Sequence, residues 1–479
     1  MDLAFRSAGA LAARVRRRKI GCLELTDHFI ARIERHDGRI NAVVARDFEA
    51  ARRRARALDR MKEPLGKLHG VPMTVKESFD MAGLPTTWGV PAKRGDMPTR
   101  DALAVQRLRA AGAVILGKTN VPPMLADWQA TNEIHGTTNN PWDLSRSPGG
   151  SSGGAAAALA AGLTALDCGS DIGGSIRQPA HACGVFGHKP SWGLLPMYGH
   201  SPVPDGEGQP DIACIGPLAR TADDLALAMA VLAGPDPRDS VAPVKLPKGP
   251  KSPKGLRVAV WAGDPATRTA AAVTEAVLGA GRALAQDGAV VSTTARPAVD
   301  AHEAFRVYLR LLGSVVLSRL PPQEAEHVAA AQAALRADDR SADAEMLRAF
   351  GVGHGEWQDW NDQRHRMRRA WGAFFAEWDV LICPAFAAPA LPHMVGLPEH
   401  EKFAAIDGVR ELWGELLFWP GVIGAMLLPA TAVPVAMSPD GLPIGCQVVG
   451  PMHGDRATIA VAAMLEAALG GFRAPEGWG

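Results

Sequence analysis

Two serines in one glycine-rich stretch are the residues best suited to chemistry. Ser151 stands in GGSSGG and Ser175 in DIGGSIR, 24 positions apart within residues 149–189. Glycine pairs beside a polar side chain let the backbone approach a bound group and turn its N–H groups inward. The stretch therefore reads as one polar pocket lined by hydroxyls and bare amides. A serine hydroxyl is a weak nucleophile and needs a base within hydrogen-bond reach. Lysine serves as that base when it is neutral, and burial favours its neutral form. Lys76 follows Val71, Pro72, Met73 and Val75 in the run GVPMTVKES. The residues alone allow two readings of it: a desolvated base, or a surface lysine paired with Glu77.

The elements that must position these groups alternate between helix and strand. Residues 7–35 carry helical periodicity, with Leu23, Leu25, Phe29, Ile30 and Ile33 on one face, and 48–61 form a second, arginine-rich helix. Residues 41–44 are a short apolar break. A turn at Gly66 leads into a strand that ends at Lys76. Helix 101–111 is closed by Gly112 and followed by strand 113–116. Alanine-rich 155–161 is a helix, with Ser151 or Ser152 as its N-cap, and 163–168 is a brief buried strand before the second glycine loop. Helix 223–232 comes next. Residues 244–255, with LPKGPKSPKG as their body, are a surface linker, and 257–261 resume the sheet pattern. This alternation predicts an α/β layer fold.

The chain resembles the amidase signature family. The resemblance rests on GGSSGG, GSDIGGSIR and PAHACGVFGHKP, and upstream on GVPMTVKES. It continues in TNNPWD, IGPLART, WDVLICPA and LPATAVPV…DGLPIGCQVVG. It implies a single domain over 1–479, an α/β/α fold with a central mixed β-sheet covered by helices. Residues 66–225 would be the signature core and 300–420 a variable region shaping the substrate pocket.

The resemblance also implies roles. Ser175 would be the nucleophile that forms an acyl-enzyme. Ser151 would be the bridging serine, which in the family follows a cis peptide bond, and Lys76 the general base acting through it. Backbone N–H groups of Ile172, Gly173, Gly174 and Ser175 would form the oxyanion hole. Ser152, Ser170, Asp171 and Arg177 would be supporting residues: Ser152 as a helix cap, Ser170 keeping a hydroxyl where the family has threonine, Asp171 and Arg177 holding the loop. The expected activity is hydrolysis of a carboxylic amide, with esters and carbamates chemically adjacent, and without metal or cofactor. The run TNVPPMLADWQATNE (119–133) departs from the family's pattern, and Asp127, Trp128 and Gln129 read either as the rim of the site or as a structural loop. Residues 300–420 hold Trp357, Trp360, Trp371, Trp378, Trp413 and Trp419, half of the chain's twelve tryptophans. Each reads first as core, and together they suggest an acyl pocket for aryl or bulky apolar groups.

Four other readings compete. Gly149–Gly153 fits the G-x-S-x-G elbow of an α/β-hydrolase esterase with Ser151 as nucleophile, which requires a strand just before it and a histidine such as His393 or His453. The family also contains the catalytic subunit of the glutamyl-tRNA amidotransferase, which needs partner subunits. A nucleotide-binding module lacks the G-x-x-x-x-G-K-[ST] spacing. A non-catalytic scaffold would have no use for Lys76, Ser151 and Ser175 together.

Composition narrows the class further. The net charge is +1, and the basic runs at 14–19 and 52–60 read as solvated helix faces. The expected partner is a small-molecule amide, with no nucleic acid and no membrane; self-association as a homodimer is compatible with the sequence. The six cysteines show no C-x-x-C pair or metal spacing and read as buried thiols of a cytoplasmic protein. The most apolar run, 421–437, is broken by Pro429 and Pro434 and is a poor membrane span.

Overall fold

The computed structural model describes residues 3–203, 206, 208–398 and 401–478. Helix α1 (Ala8–Arg16) is followed by α2 (Cys22–Ile40) and α3 (Phe48–Asp59), which flank a three-stranded sheet. That sheet has the order β1-β3-β2, from β1 (Val43–Arg46), β2 (Pro72–Lys76) and β3 (Val114–Thr119), with α4 (Leu103–Ala110) leading into β3. The predicted helix over 7–35 is two helices. Their break at 17–21 includes Arg18 at φ 52°, and the side chains of Arg16 to Lys19 are exposed there. The apolar break at 41–44 is the edge strand β1, antiparallel to β3.

A two-stranded hairpin, β4 (Thr131–Asn132) and β5 (Gly136–Thr137), precedes the glycine-rich block. The block itself forms α5 (Gly153–Ala160), β6 (Asp167–Asp171), α6 (Arg177–Cys183), β7 (Phe186–Lys189), β8 (Cys214–Ala219) and α7 (Ala222–Leu232). The predicted strand at 163–168 starts later, at Asp167. A distant side chain accounts for this: Arg220 Nη1 takes the Leu159 and Thr164 carbonyls at 3.1 and 2.6 Å, so the chain turns there before it can pair. Residues 244–255 are coil.

The remaining chain adds β9 (Arg257–Val260), α8 (Ala271–Gln286), β10 (Val290–Ser292), α9 (Ala301–Val316), α10 (Pro322–Ala333), α11 (Ala342–Leu347), α12 (His354–Glu377) and β11 (Val380–Pro384). It ends in β12 (Phe403–Ile406), β13 (Val409–Leu412), α13 (Phe418–Ala425), β14 (Ala430–Met437), β15 (Pro443–Val449) and α14 (Asp455–Leu469). The central sheet has eight strands in the order β10-β9-β11-β15-β14-β7-β8-β6. It is mixed: β10, β9 and β11 run parallel, and the other pairings are antiparallel.

Side chains alternate across a strand, and β15 shows both faces covered. Gly445 meets His181 and Gln447 bonds Arg177, both of α6. Cys446 and Val448 face the other way, into a core shared with Val461, Ala462 and Leu465 of α14. A second apolar cluster gathers α9, α12 and α13 with Trp360, Trp371, Trp413 and Trp419 buried and Trp357 and Trp378 packed on its edge. The aromatic region is thus mostly core. All six cysteines are free and buried. No helix among the described residues is long and apolar enough to cross a membrane.

Candidate active site

Lys76 is the last residue of β2, whose five residues are all buried. The small sheet docks on the glycine-rich block through Thr74: its N–H reaches the Leu166 carbonyl at 3.2 Å and its hydroxyl donates to Asp167 at 2.5 Å. This seats the lysine head among hydroxyls. Lys76 Nζ is 2.6 Å from Ser151 Oγ, 3.0 Å from Ser170 Oγ and 3.5 Å from the Ser170 carbonyl. Burial pulls its pKa down to about 7, against the opposing pull of Asp171 and Asp167. Glu77 does not pair with it. That carboxylate accepts the Thr87 and Trp88 N–H groups at 2.6 and 2.9 Å, so the surface-lysine reading fails.

The peptide bond from Gly150 to Ser151 is cis. Gly149, at φ +85°, lies so close to α6 that a Cβ would stand 2.1 Å from Gln178 Oε1, the atom that accepts the Gly150 N–H at 3.0 Å. The two serine loops are tied by one backbone bond, from Ser152 N–H to the Ser175 carbonyl at 3.1 Å. Ser152 occupies the N-cap position of α5, yet its side chain does not cap the helix. Its hydroxyl lies 3.3 Å from the Ser170 carbonyl and 3.4 Å from the Ser170 N–H, bracing β6 instead. Ser170 Oγ faces the lysine, in keeping with the retained hydroxyl.

Asp171 and Arg177 form a fully buried pair that holds the second loop. The guanidinium reaches the carboxylate through Nη2 at 2.8 Å and Nε at 3.0 Å. The carboxylate also accepts N–H groups of Gly174, Ile176 and Arg177 at 2.9, 3.1 and 3.3 Å. Burial alone would raise the pKa of Asp171, but the charge and hydrogen bonds of Arg177 outweigh it and hold it at about 2. Arg177 Nη1 extends the brace to the Pro420 carbonyl and Gln447 Oε1 at 3.0 and 2.9 Å.

The four amides expected in the oxyanion hole are not equivalent. The Gly174 N–H is committed to Asp171, which removes it from the expected set. Gly174 itself needs to be glycine: φ is +95°, and a Cβ would lie 2.8 Å from Pro420 Cβ. In a trans peptide the C=O and N–H point opposite ways, so a pinned carbonyl aims the next amide. Tyr308 O–H donates to the Ile172 carbonyl at 3.2 Å and thereby directs the Gly173 N–H. The Gly174 carbonyl takes the Gln178 N–H at 2.7 Å, which directs the Ser175 N–H. Trp128 Nε1 holds the Gly173 carbonyl at 3.2 Å. The 127–129 run is therefore part of the site's frame: Asp127 pairs with Lys402, and Gln129 Nε2 bonds the Pro392 carbonyl at 3.3 Å. Tyr308 gave no signal in the sequence, since its partner is a backbone carbonyl 136 positions away.

The α/β-hydrolase reading is not met. Its elbow needs a strand directly before the serine, and the nearest preceding strand, β5, ends at Thr137. Among the described residues no group of three or more His, Cys, Asp or Glu side chains is arranged to hold a metal ion.

Comparison with known proteins shows the family. The family model described as Amidase matches residues 24–459. The chain belongs to the amidase signature family. Its relatives within that family include, from Acidothermus cellulolyticus, one of the subunits of glutamyl-tRNA(Gln) amidotransferase, 34% identical, covering 98% of this chain and 95% of that one. An indoleacetamide hydrolase from Bradyrhizobium diazoefficiens is 32% identical, over 96% of this chain and 86% of its own. Among solved structures, a bacterial aryl acylamidase of the amidase signature family superposes with a TM-score of 0.80 at 26% identity, covering 97% of this chain and 96% of that one. This amidase is accordingly a hydrolase acting on C–N bonds of amides.

Proposed function

We propose that this amidase cleaves its substrate through a serine acyl-enzyme, with Ser175 as nucleophile, Ser151 as proton bridge and Lys76 as base. The observation that carries this reading is the buried contact of Lys76 Nζ with Ser151 Oγ at 2.6 Å. Ser175 Oγ attacks the amide carbonyl carbon. Its proton passes to Ser151, whose own proton passes to Lys76. The N–H groups of Ile172, Gly173 and Ser175 receive the oxyanion, each such donor being worth about 2.7–4 kcal/mol in the transition state. The relay then runs backward, protonating the leaving nitrogen as the C–N bond breaks. Water, deprotonated along the same path, releases the acid from Ser175. Esters and carbamates enter the same scheme with other leaving groups. Labelling by a serine-directed phosphonyl reagent tests it: the adduct must map to Ser175 and disappear in Ser175→Ala.

The acyl group is proposed to be aryl or bulky and apolar. Trp128, whose indole holds the Gly173 carbonyl, packs against Phe386 and Trp413 with ring centroids 4.9 and 5.4 Å apart. The name of one relative, indoleacetamide hydrolase, points the same way. Comparison of kcat/KM for acetamide and an aryl amide decides it, and a preference for acetamide refutes the bulky pocket.

A second reading is a catalytic subunit that works only with partners. It is favoured by the relatives whose names place them within a glutamyl-tRNA(Gln) amidotransferase. Size-exclusion of the purified chain together with an amide assay separates the two readings and also reports whether the chain is a homodimer. An obligate subunit shows little activity alone.

A further inference from the structure

A cleft of about 480 Å³ lies against the second half of α12, with none of Lys76, Ser151 or Ser175 in its lining. Its apolar walls include Trp371, Phe375, Met426 and Leu428, and its ionisable lining residues are His365, Arg368 and Arg369. Among the described residues no acidic side chain lines it. Arg364, one turn before Arg368, is buried and places Nη1 at 2.8 Å from both oxygens of Asp211. The carboxylate nearest to Arg368 in electrostatic effect is thus already engaged. Arg368 is partly buried and has no hydrogen-bond or ion-pair partner among the described residues. Burial and the Arg364 charge destabilise its cationic form, with Asp211 opposing them. An unpaired guanidinium beside an apolar wall is complementary to an anion that carries an apolar body.

We propose that this cleft binds a monocarboxylate with an apolar aryl or alkyl body, the carboxylate on Arg368 and the body against Trp371 and Phe375. Guanidinium matches carboxylate in planar, two-point geometry, and Arg369 adds charge at the same wall. The volume falls within the range of small-molecule sites, which are mostly apolar with a few polar groups that fix orientation. The floor of the cleft is also connected to the catalytic loop. Gly424, two residues before Met426, lies against the Ile172 carbonyl, where a Cβ would stand 3.7 Å from the oxygen. An apolar carboxylate is what cleavage of a bulky apolar amide releases. That connection rests on the acyl preference proposed above, whereas the binding site does not.

The test is calorimetric titration of 4-phenylbutyrate and of the uncharged 4-phenylbutanol into wild-type protein and into Arg368→Gln. The carboxylate should bind at least ~10-fold more tightly than the alcohol. Arg368→Gln should remove that preference while turnover of a simple amide stays within about twofold. Equal binding of the two ligands, or unchanged affinity in Arg368→Gln, overturns the proposal. A benzophenone carboxylate photoprobe on the wild-type protein gives a second measurement that needs no variant. Crosslinks within 363–377 or 424–430 support the site, and crosslinks confined to the catalytic loops overturn it. The acyl preference is read separately from kcat/KM on amides, so either idea fails without the other.

Discussion

Lys76 Nζ and Ser151 Oγ are 2.6 Å apart in a position sealed from solvent, although 75 residues of chain separate them. A charged ammonium is unwelcome there, and a neutral amine next to a hydroxyl is poised to take its proton.

Removing the proposed nucleophile should abolish turnover. Ser175→Ala is expected to lower kcat by at least ~1,000-fold, and Ser151→Ala by a comparable factor because the relay is then broken. Steady-state rates with an aryl amide check both, and Ser151→Ala should still fold with an unchanged circular dichroism spectrum.

The pH profile should follow the lysine. Only neutral Lys76 accepts a proton, and its pKa lies near 7, so kcat/KM is expected to rise through about pH 7 and level off above it. The same shift has a stability sign. Between about pH 7 and 10.5 the unfolded chain holds a proton on Lys76 that the folded one lacks, so this residue opposes folding increasingly as the pH falls across that range. Lys76→Met should therefore lose activity yet gain in thermal midpoint over wild type, more at pH 7.5 than at pH 10.

Breaking the buried Asp171–Arg177 pair should damage both fold and function. Arg177→Met leaves a carboxylate buried without its cation and is expected to cost about 3–5 kcal/mol, seen as a lower urea midpoint. Because the pKa of Asp171 is depressed to about 2, its contribution is present above the ordinary aspartate range and is lost as the pH falls toward 2. The gap between wild type and Asp171→Asn in acid unfolding should close over that window.

Trp128→Phe keeps most of the ring and deletes the hydrogen bond to the Gly173 carbonyl. A loss of about tenfold in kcat with little change in the urea midpoint is expected, as one hydrogen bond of about 1 kcal/mol that aligns the loop is removed. Tyr308→Phe should behave similarly through the Ile172 carbonyl. A change in KM alone would place these side chains in substrate binding rather than in loop alignment.

The catalytic candidates were legible because their chemistry is local in sequence. Glycines beside Ser151 and Ser175 and apolar residues before Lys76 mark a tight loop and a buried strand. The family likeness then assigned their roles. Helical character over 7–35 was also legible from its apolar face, but the break at 17–21 and the continuation of α2 to Ile40 were not. What the sequence hid was long-range satisfaction of polar groups. Ser152 reads as a cap, but its hydroxyl bonds β6; 163–168 reads as a strand, but Arg220 bridges the Leu159 and Thr164 carbonyls across a turn. Gly174 looked like an oxyanion donor, but Asp171 claims its N–H. Each of these outcomes depends on a partner whose position only the assembled fold defines.

The order of strands in the central sheet has a consequence for biosynthesis. The strands of the glycine-rich block, β6, β8 and β7, join the rest of the sheet only where β7 pairs with β14, residues 430–437. Arg177 likewise waits for Gln447. A nascent polypeptide thus carries Lys76, Ser151 and Ser175 while residues 190–429 are added, with no finished scaffold to align them. Hydrolytic competence should therefore appear only after residues 430–447 have been made and have joined the sheet.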